Sequence, residues 1–228
     1  FRIMGQLLSG AAGEPVGPAF AIGTSPEGTD QRQPAVACNE EEGLFLVVWS
    51  GDDLVEGARE IMGRMVDADG PLVGPVRRYS DMGSDDLDTA FDAITPDVAW
   101  SPMQGAFTLV WAADDDAGLL DDGRFEIYGQ LVDAVDGTET GTNDFRITYS
   151  LSDDQKNDVL EPAVAVIPSS DRWFVVFEGD VLDDEIHDPE IWGYGVTDDV
   201  PDGAGFNISL MGGSIADGLS ARHPDRAY

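Results

Sequence analysis

The chain has 228 residues, 42% of them hydrophobic, and a formal net charge of -33. It is long enough for one domain with a substantial core. Its longest apolar runs are too short to cross a bilayer, which excludes membrane insertion by a helix, and its charge repels nucleic acid and anionic membrane.

Asp outnumbers Glu more than two to one, and Lys156 is the single lysine. Asp favours turns, whereas Glu favours helices, so the acidity reads as loop chemistry. Cations are the expected counterparts; a salt-adapted surface is the other reading of the same numbers. Cys38 is the only cysteine. It excludes an internal disulfide and reads as a small core residue. The opening residues are strand-like and carry no leader signature, so the chain is expected to be a mature or trimmed piece.

The first strand-like blocks are Arg2-Ile-Met-Gly5 and Phe20-Ala-Ile-Gly23. Four more follow: Pro34-Ala-Val-Ala37, Phe45-Leu-Val-Val-Trp49, Glu60-Ile-Met-Gly63 and Val76-Arg-Arg-Tyr79. The set recurs as Pro96-Asp-Val-Ala99, Phe107-Thr-Leu-Val-Trp111, Glu126-Ile-Tyr-Gly129 and Phe145-Arg-Ile-Thr148. It recurs again as Pro162-Ala-Val-Ala165, Trp173-Phe-Val-Val-Phe177, Glu190-Ile-Trp-Gly193 and Phe206-Asn-Ile-Ser209, and Pro224-Asp-Arg-Ala227 opens a further unit. The prolines are 62 to 66 residues apart. The blocks are short, rich in β-branched and aromatic residues, and bounded by turn residues, so each reads as a strand. We label them a, b, c and d in order.

Four short antiparallel strands per unit predict an all-β, β-propeller-like array of four-stranded blades. The complete blades are 34–95, 96–161 and 162–223. A partial blade is split between residues 1–33 (strands c and d) and 224–228 (strand a). The split leaves strand b missing, so self-association head to tail is one expectation.

The blocks also resemble a family of repeats in large secreted bacterial proteins, with a Val-Val-Trp strand, an acidic loop, Glu-Ile-x-Gly-Gln and Asp-Phe-Arg-Ile-Ser, as in Trp111 to Ser150. The third unit departs from that pattern, with Phe177 for Trp and Tyr194 for Gln. The resemblance implies a secreted, surface-associated propeller-like repeat, extracellular or at the cell surface. It implies no established chemistry.

In such a blade the b–c and d–a connections share one face. The b–c loops carry Asp52, Asp53, Asp114, Asp115, Asp116, Asp122, Asp180, Asp183 and Asp184, and strand c opens with Glu60, Glu126 or Glu190. Ca2+ takes six to eight oxygens from flexible loops. The equivalent pairs Asp52 and Glu60, Asp114 and Glu126, Asp180 and Glu190 are therefore expected to bracket one calcium ion per blade. The other reading is that these carboxylates only end strands and solvate loops.

No residue set identifies a reaction. His187 and His223 are the only imidazoles, and no Gly-x-Ser-x-Gly elbow, zinc cluster or phosphate-binding loop accompanies them. Carboxylates that repeat from blade to blade favour a structural or binding role over a catalytic pair. The leading expectation is a non-enzymatic, calcium-stabilised secreted domain for adhesion or surface assembly. The alternatives are a glycan-binding propeller with surface glycans as partner, and a glycoside-hydrolase-type propeller whose active site would show as one blade departing from the others.

Overall fold

The computed structural model describes residues 1–24, 29–52, 56–70, 72–83, 89–115, 123–149, 159–179, 189–209 and 224. All regular structure among them is β. β1 (Met4–Leu8) and β2 (Pro15–Ala21) form a two-stranded hairpin. β3 (Gln31–Asn39), β4 (Leu44–Asp52), β5 (Arg59–Asp67) and β6 (Leu72–Arg78) make the first full blade. β7 (Ala93–Ser101), β8 (Ala106–Ala113), β9 (Glu126–Asp133) and β10 (Glu139–Arg146) make the second. The third contains β11 (Val159–Val166), β12 (Arg172–Gly179), β13 (Glu190–Thr197) and two short pieces, β14 (Val200–Pro201) and β15 (Phe206–Asn207). Every pairing is antiparallel, in the order of the chain within each complete blade. The fold is the propeller-like array that the repeats predict.

Each a strand begins three residues before its proline, at Gln31, Ala93 or Val159 rather than at Pro34, Pro96 or Pro162. The proline sits in a bulge, where pairing with strand b slips between Arg32 and Ala35, Ile94 and Asp97, and Leu160 and Ala163. A bulge is where a strand tolerates a residue with no N–H to donate. The a strands also pack on one another, β3 against β7 and β7 against β11. They are the innermost strands, around a common axis.

Blades pack face to face because strand b is apolar on both faces. Leu46 and Val48 of β4 join Leu109 and Trp111 of β8 in one core cluster. Val110 and Ala112 of β8 join Val175 and Phe177 of β12 in the next. The large aromatic ending each b block, Trp49, Trp111 or Phe177, is thus buried toward the preceding blade. Trp49 reaches Ile3 and Ile22 of the partial blade.

The Gly of Glu-Ile-x-Gly has a steric cause. A Cβ on Gly63 would sit 2.6 Å from Tyr79 Cε2, and one on Gly129 would sit 2.8 Å from Phe145 Cζ. The d-strand aromatic lies across the glycine, filling the space a side chain would take. The next residue holds the d-strand bulge. Gln6 Nε2 donates to the Gly17 carbonyl at 3.2 Å, Arg64 Nη2 to Gly74 at 2.9 Å and Gln130 Nε2 to Thr140 at 2.9 Å. In the third blade Tyr194 takes this place. Its ring occupies the position of a Cβ on Gly205, and strand d is divided there into β14 and β15.

Candidate functional site

Asp53, Asp116, Asp122, Asp180, Asp183 and Asp184 lie outside the described residues, as do His187 and His223. Asp52 Oδ2 accepts from Asp30 N–H at 2.8 Å and Oδ1 from Gly57 N–H at 3.1 Å. Asp114 repeats this, accepting from Asp92 N–H at 2.6 Å and Gly123 N–H at 2.8 Å. Each carboxylate ties its own b–c loop to the d–a loop beside it, so both loops do meet at one end of the blade. Burial pushes the Asp114 carboxyl above the usual range. Asp115 follows it, partly buried.

The glutamates form a second repeated device. Glu60, Glu126 and Glu190 accept the hydroxyls of Ser80, Thr148 and Ser209. Those hydroxyl oxygens in turn accept the N–H of Ile61 at 2.7 Å, Ile127 at 2.9 Å and Ile191 at 2.8 Å. Burial raises Glu60 to about 8. Glu126 instead meets Arg146 Nη2 at 2.8 Å.

The register does not bring the first two expected pairs together, and the third, Asp180 with Glu190, includes a residue outside the described ones. Glu60 lies opposite Gly51, so the side chain of Asp52, one residue further, leaves the other face of the sheet. Glu126 lies opposite Ala113, with the same consequence for Asp114. Among the described residues no group of three or more His, Cys, Asp or Glu is placed to hold a metal.

A different set converges on the axis. Gln33, Thr95 and Glu161 each precede the bulge proline, and each has a positive φ, at 53°, 49° and 50°. Left-handed backbone outside glycine costs about 1–3 kcal/mol per residue, and such strain gathers at ligand sites. The bulge thereby turns three side chains toward a cavity of about 370 Å³, lined by them together with Pro34, Pro96, Asp97, Pro162 and Pro224 among others. Hydrogen bonds join the strands around it. Gln33 Oε1 accepts Thr95 N–H at 3.1 Å, and Asp97 Oδ2 accepts Val164 N–H at 2.8 Å.

The Thr95 hydroxyl is buried and has no hydrogen-bond partner, with the residue 9% exposed. A second cavity of about 220 Å³ shares Gln33 and is lined by Arg32, Arg59, Asp30 and Asp52. The positions around the axis break the repeat: Gln, Thr and Glu before the proline, Ala, Asp and Ala after it. That disagreement was the sequence signal for this site, and a search for repeated carboxylates passes over it.

The sequence matches no protein-family model and no curated protein. A family 117 glycoside hydrolase from the marine bacterium Zobellia galactanivorans is similar over 92% of this chain and 61% of its own, with 11% identity and a TM-score of 0.51. An α-L-arabinofuranosidase from Lactobacillus brevis aligns over 78% of this chain and 53% of its own, at 14% identity and a TM-score of 0.47. An N-acetylgalactosamine deacetylase from F. plautii, in complex with blood group B trisaccharide, aligns over 75% and 51%, at 14% identity and 0.48. The likeness is one of fold: a β-propeller of the kind found in glycoside hydrolases, of which this chain spans between half and three-fifths.

Proposed function

We propose that the chain is a carbohydrate-binding propeller domain, acting outside the cell or on its surface, with its ligand in the axial cavity. The observation that carries this is the axial cavity lined by Gln33, Thr95, Asp97 and Glu161, where the blades otherwise alike differ. Gln33 is exposed there and Glu161 partly so, and their amide and carboxylate supply the donors and acceptors that fix a polyol. A propeller similar to this one is a family 117 glycoside hydrolase, which supports the class of ligand. The strong negative charge favours a neutral glycan over a sulfated or uronic one.

Titration calorimetry against neutral oligosaccharides tests the reading. Saturable binding is expected, weakened roughly tenfold or more by Glu161→Gln and by Gln33→Ala. Binding untouched by both variants, or none across a broad glycan array, removes it. Release of reducing ends that Glu161→Gln abolishes would replace binding with hydrolysis.

A further inference from the structure

The axial cavity is rich in hydrogen-bond acceptors and poor in donors. Four of the residues lining it are Pro34, Pro96, Pro162 and Pro224, and proline has no N–H to donate. Two backbone N–H groups beside it are already taken. Gln33 Oε1 accepts Thr95 N–H at 3.1 Å, and Asp97 Oδ2 accepts Val164 N–H at 2.8 Å. With Oε1 so held, the Gln33 amide donates through Nε2. The acceptors are Asp97 and Glu161, which reach the cavity from neighbouring blades, on β7 and β11. Among the described residues lining it, none is Lys, Arg or His.

This balance sorts ligands by their chemistry. An anionic group needs donors or cations, and prolines beside carboxylates provide neither. The carbonyl of an N-acetyl group needs a donor as well. A protonated amine is the converse. It donates three hydrogen bonds and accepts none, and its bonds to carboxylates are charge-assisted. A dehydrated metal ion needs more oxygens in one place, and among the described residues no group of three or more His, Cys, Asp or Glu is placed to hold one. An ammonium on a sugar needs fewer, because the ring hydroxyls share the binding. The wider field has the same sign: 45 Asp and Glu stand against 12 Lys and Arg, which draws cations toward a cleft.

We propose that the glycan taken by the axial cavity carries a free, protonated amine, as a 2-amino-2-deoxy sugar does. The ammonium lies on the side of Glu161 and Asp97, and a ring hydroxyl accepts from Gln33 Nε2. The prolines and Val36 give the apolar wall against which the C–H face of the ring rests. This inference rests on the reading of the cavity as a glycan site and narrows the class of glycan.

The test compares three disaccharides that differ only at C2: β-1,4-linked glucosamine, its N-acetylated form and cellobiose. Titration calorimetry reads them in low salt, at a pH that keeps the amine charged. The amine form should bind roughly tenfold tighter than the other two, and the margin should narrow as salt is added. Glu161→Gln should cut the margin to about twofold or less. Val36→Lys places a competing ammonium at a lining position that is 50% exposed, and should abolish the margin. Asp69→Asn, at an exposed turn between β5 and β6, controls for attraction by net charge alone and should leave the margin unchanged. An amine form that binds no tighter than cellobiose overturns the proposal, as does a margin that Asp69→Asn reduces as much as Glu161→Gln. Cellobiose binding that Gln33→Ala weakens, with no preference for the amine, leaves the glycan site standing and removes only its narrowing. No saturable binding by any of the three removes the narrowing, and none across a broad glycan array removes the site with it.

Discussion

Two acidic regions of the molecule behave in opposite ways. At the blade ends Asp52 and Asp114 hold the same pair of backbone amides, and Glu60, Glu126 and Glu190 hold the same hydroxyl. At the axis the equivalent positions carry Gln33, Thr95 and Glu161, and one hydroxyl has no partner. The repeated carboxylates satisfy amides and hydroxyls of the scaffold, whereas at the axis the side chains differ from blade to blade and Gln33 and Glu161 line a cavity. Residues of the first kind should therefore govern stability, and residues of the second kind should govern binding.

The sharpest way to break this contrast is within the repeated set. Glu126 is fully buried against Arg146, so Glu126→Ala strands a positive charge and should cost about 3 kcal/mol in a urea melt. Gly63→Ala should cost about 1–3 kcal/mol, because its Cβ meets the Tyr79 ring and the Val47 carbonyl oxygen together.

The next effect depends on pH. Burial raises Glu60 to about 8 in the folded state, above its value in the unfolded chain. The folded protein therefore binds the extra proton, and stability is lost as pH rises through about 8. Glu60→Gln removes the charge and keeps one oxygen to accept the Met82 N–H, its amide N–H then donating to the Ser80 hydroxyl oxygen. It should gain at least about 1 kcal/mol at pH 9 and nothing at pH 4. Glu126→Gln, the same change one blade on, should lose stability at both, since it discards the Arg146 partner.

Asp144 behaves like Glu60 on a smaller scale. Burial first, and then Glu139, raise it to about 7, and its Oδ1 is buried without a donor. Asp144→Asn, which tolerates the positive φ of 44° there, should stabilise by about 1 kcal/mol at pH 8 and vanish as an effect near pH 4. The smallest shift belongs to the axis: Glu161→Gln should move stability by less than about 0.5 kcal/mol while weakening glycan binding.

Much of this organisation is legible in the sequence. The four recurring blocks give the strands, their order and the blade faces, because apolar patterning at period 2 decides which side is buried. The departure at Tyr194 reads correctly as a local exception, and the divided d strand with Gly205 beneath the ring is its physical form. The site is less legible. Proline marks each a strand, but it does not reveal that the residue before it turns left-handed and aims inward; that needs the bulge, which arises from pairing with strand b. The expected pairs Asp52 with Glu60 and Asp114 with Glu126 fail to meet for a related reason. They are neighbours in sequence pattern, and a one-residue offset across a strand pair places them on opposite faces.

The most direct test of the account is an NMR titration with a glycan that binds, following backbone and side-chain amides. The account predicts shifts concentrated at Gln33, Thr95 and Glu161, with the amides of Gly57 and Gly123 at the blade ends unmoved. Shifts that cluster instead around Asp52, Asp114 and the strand-c glutamates would contradict it.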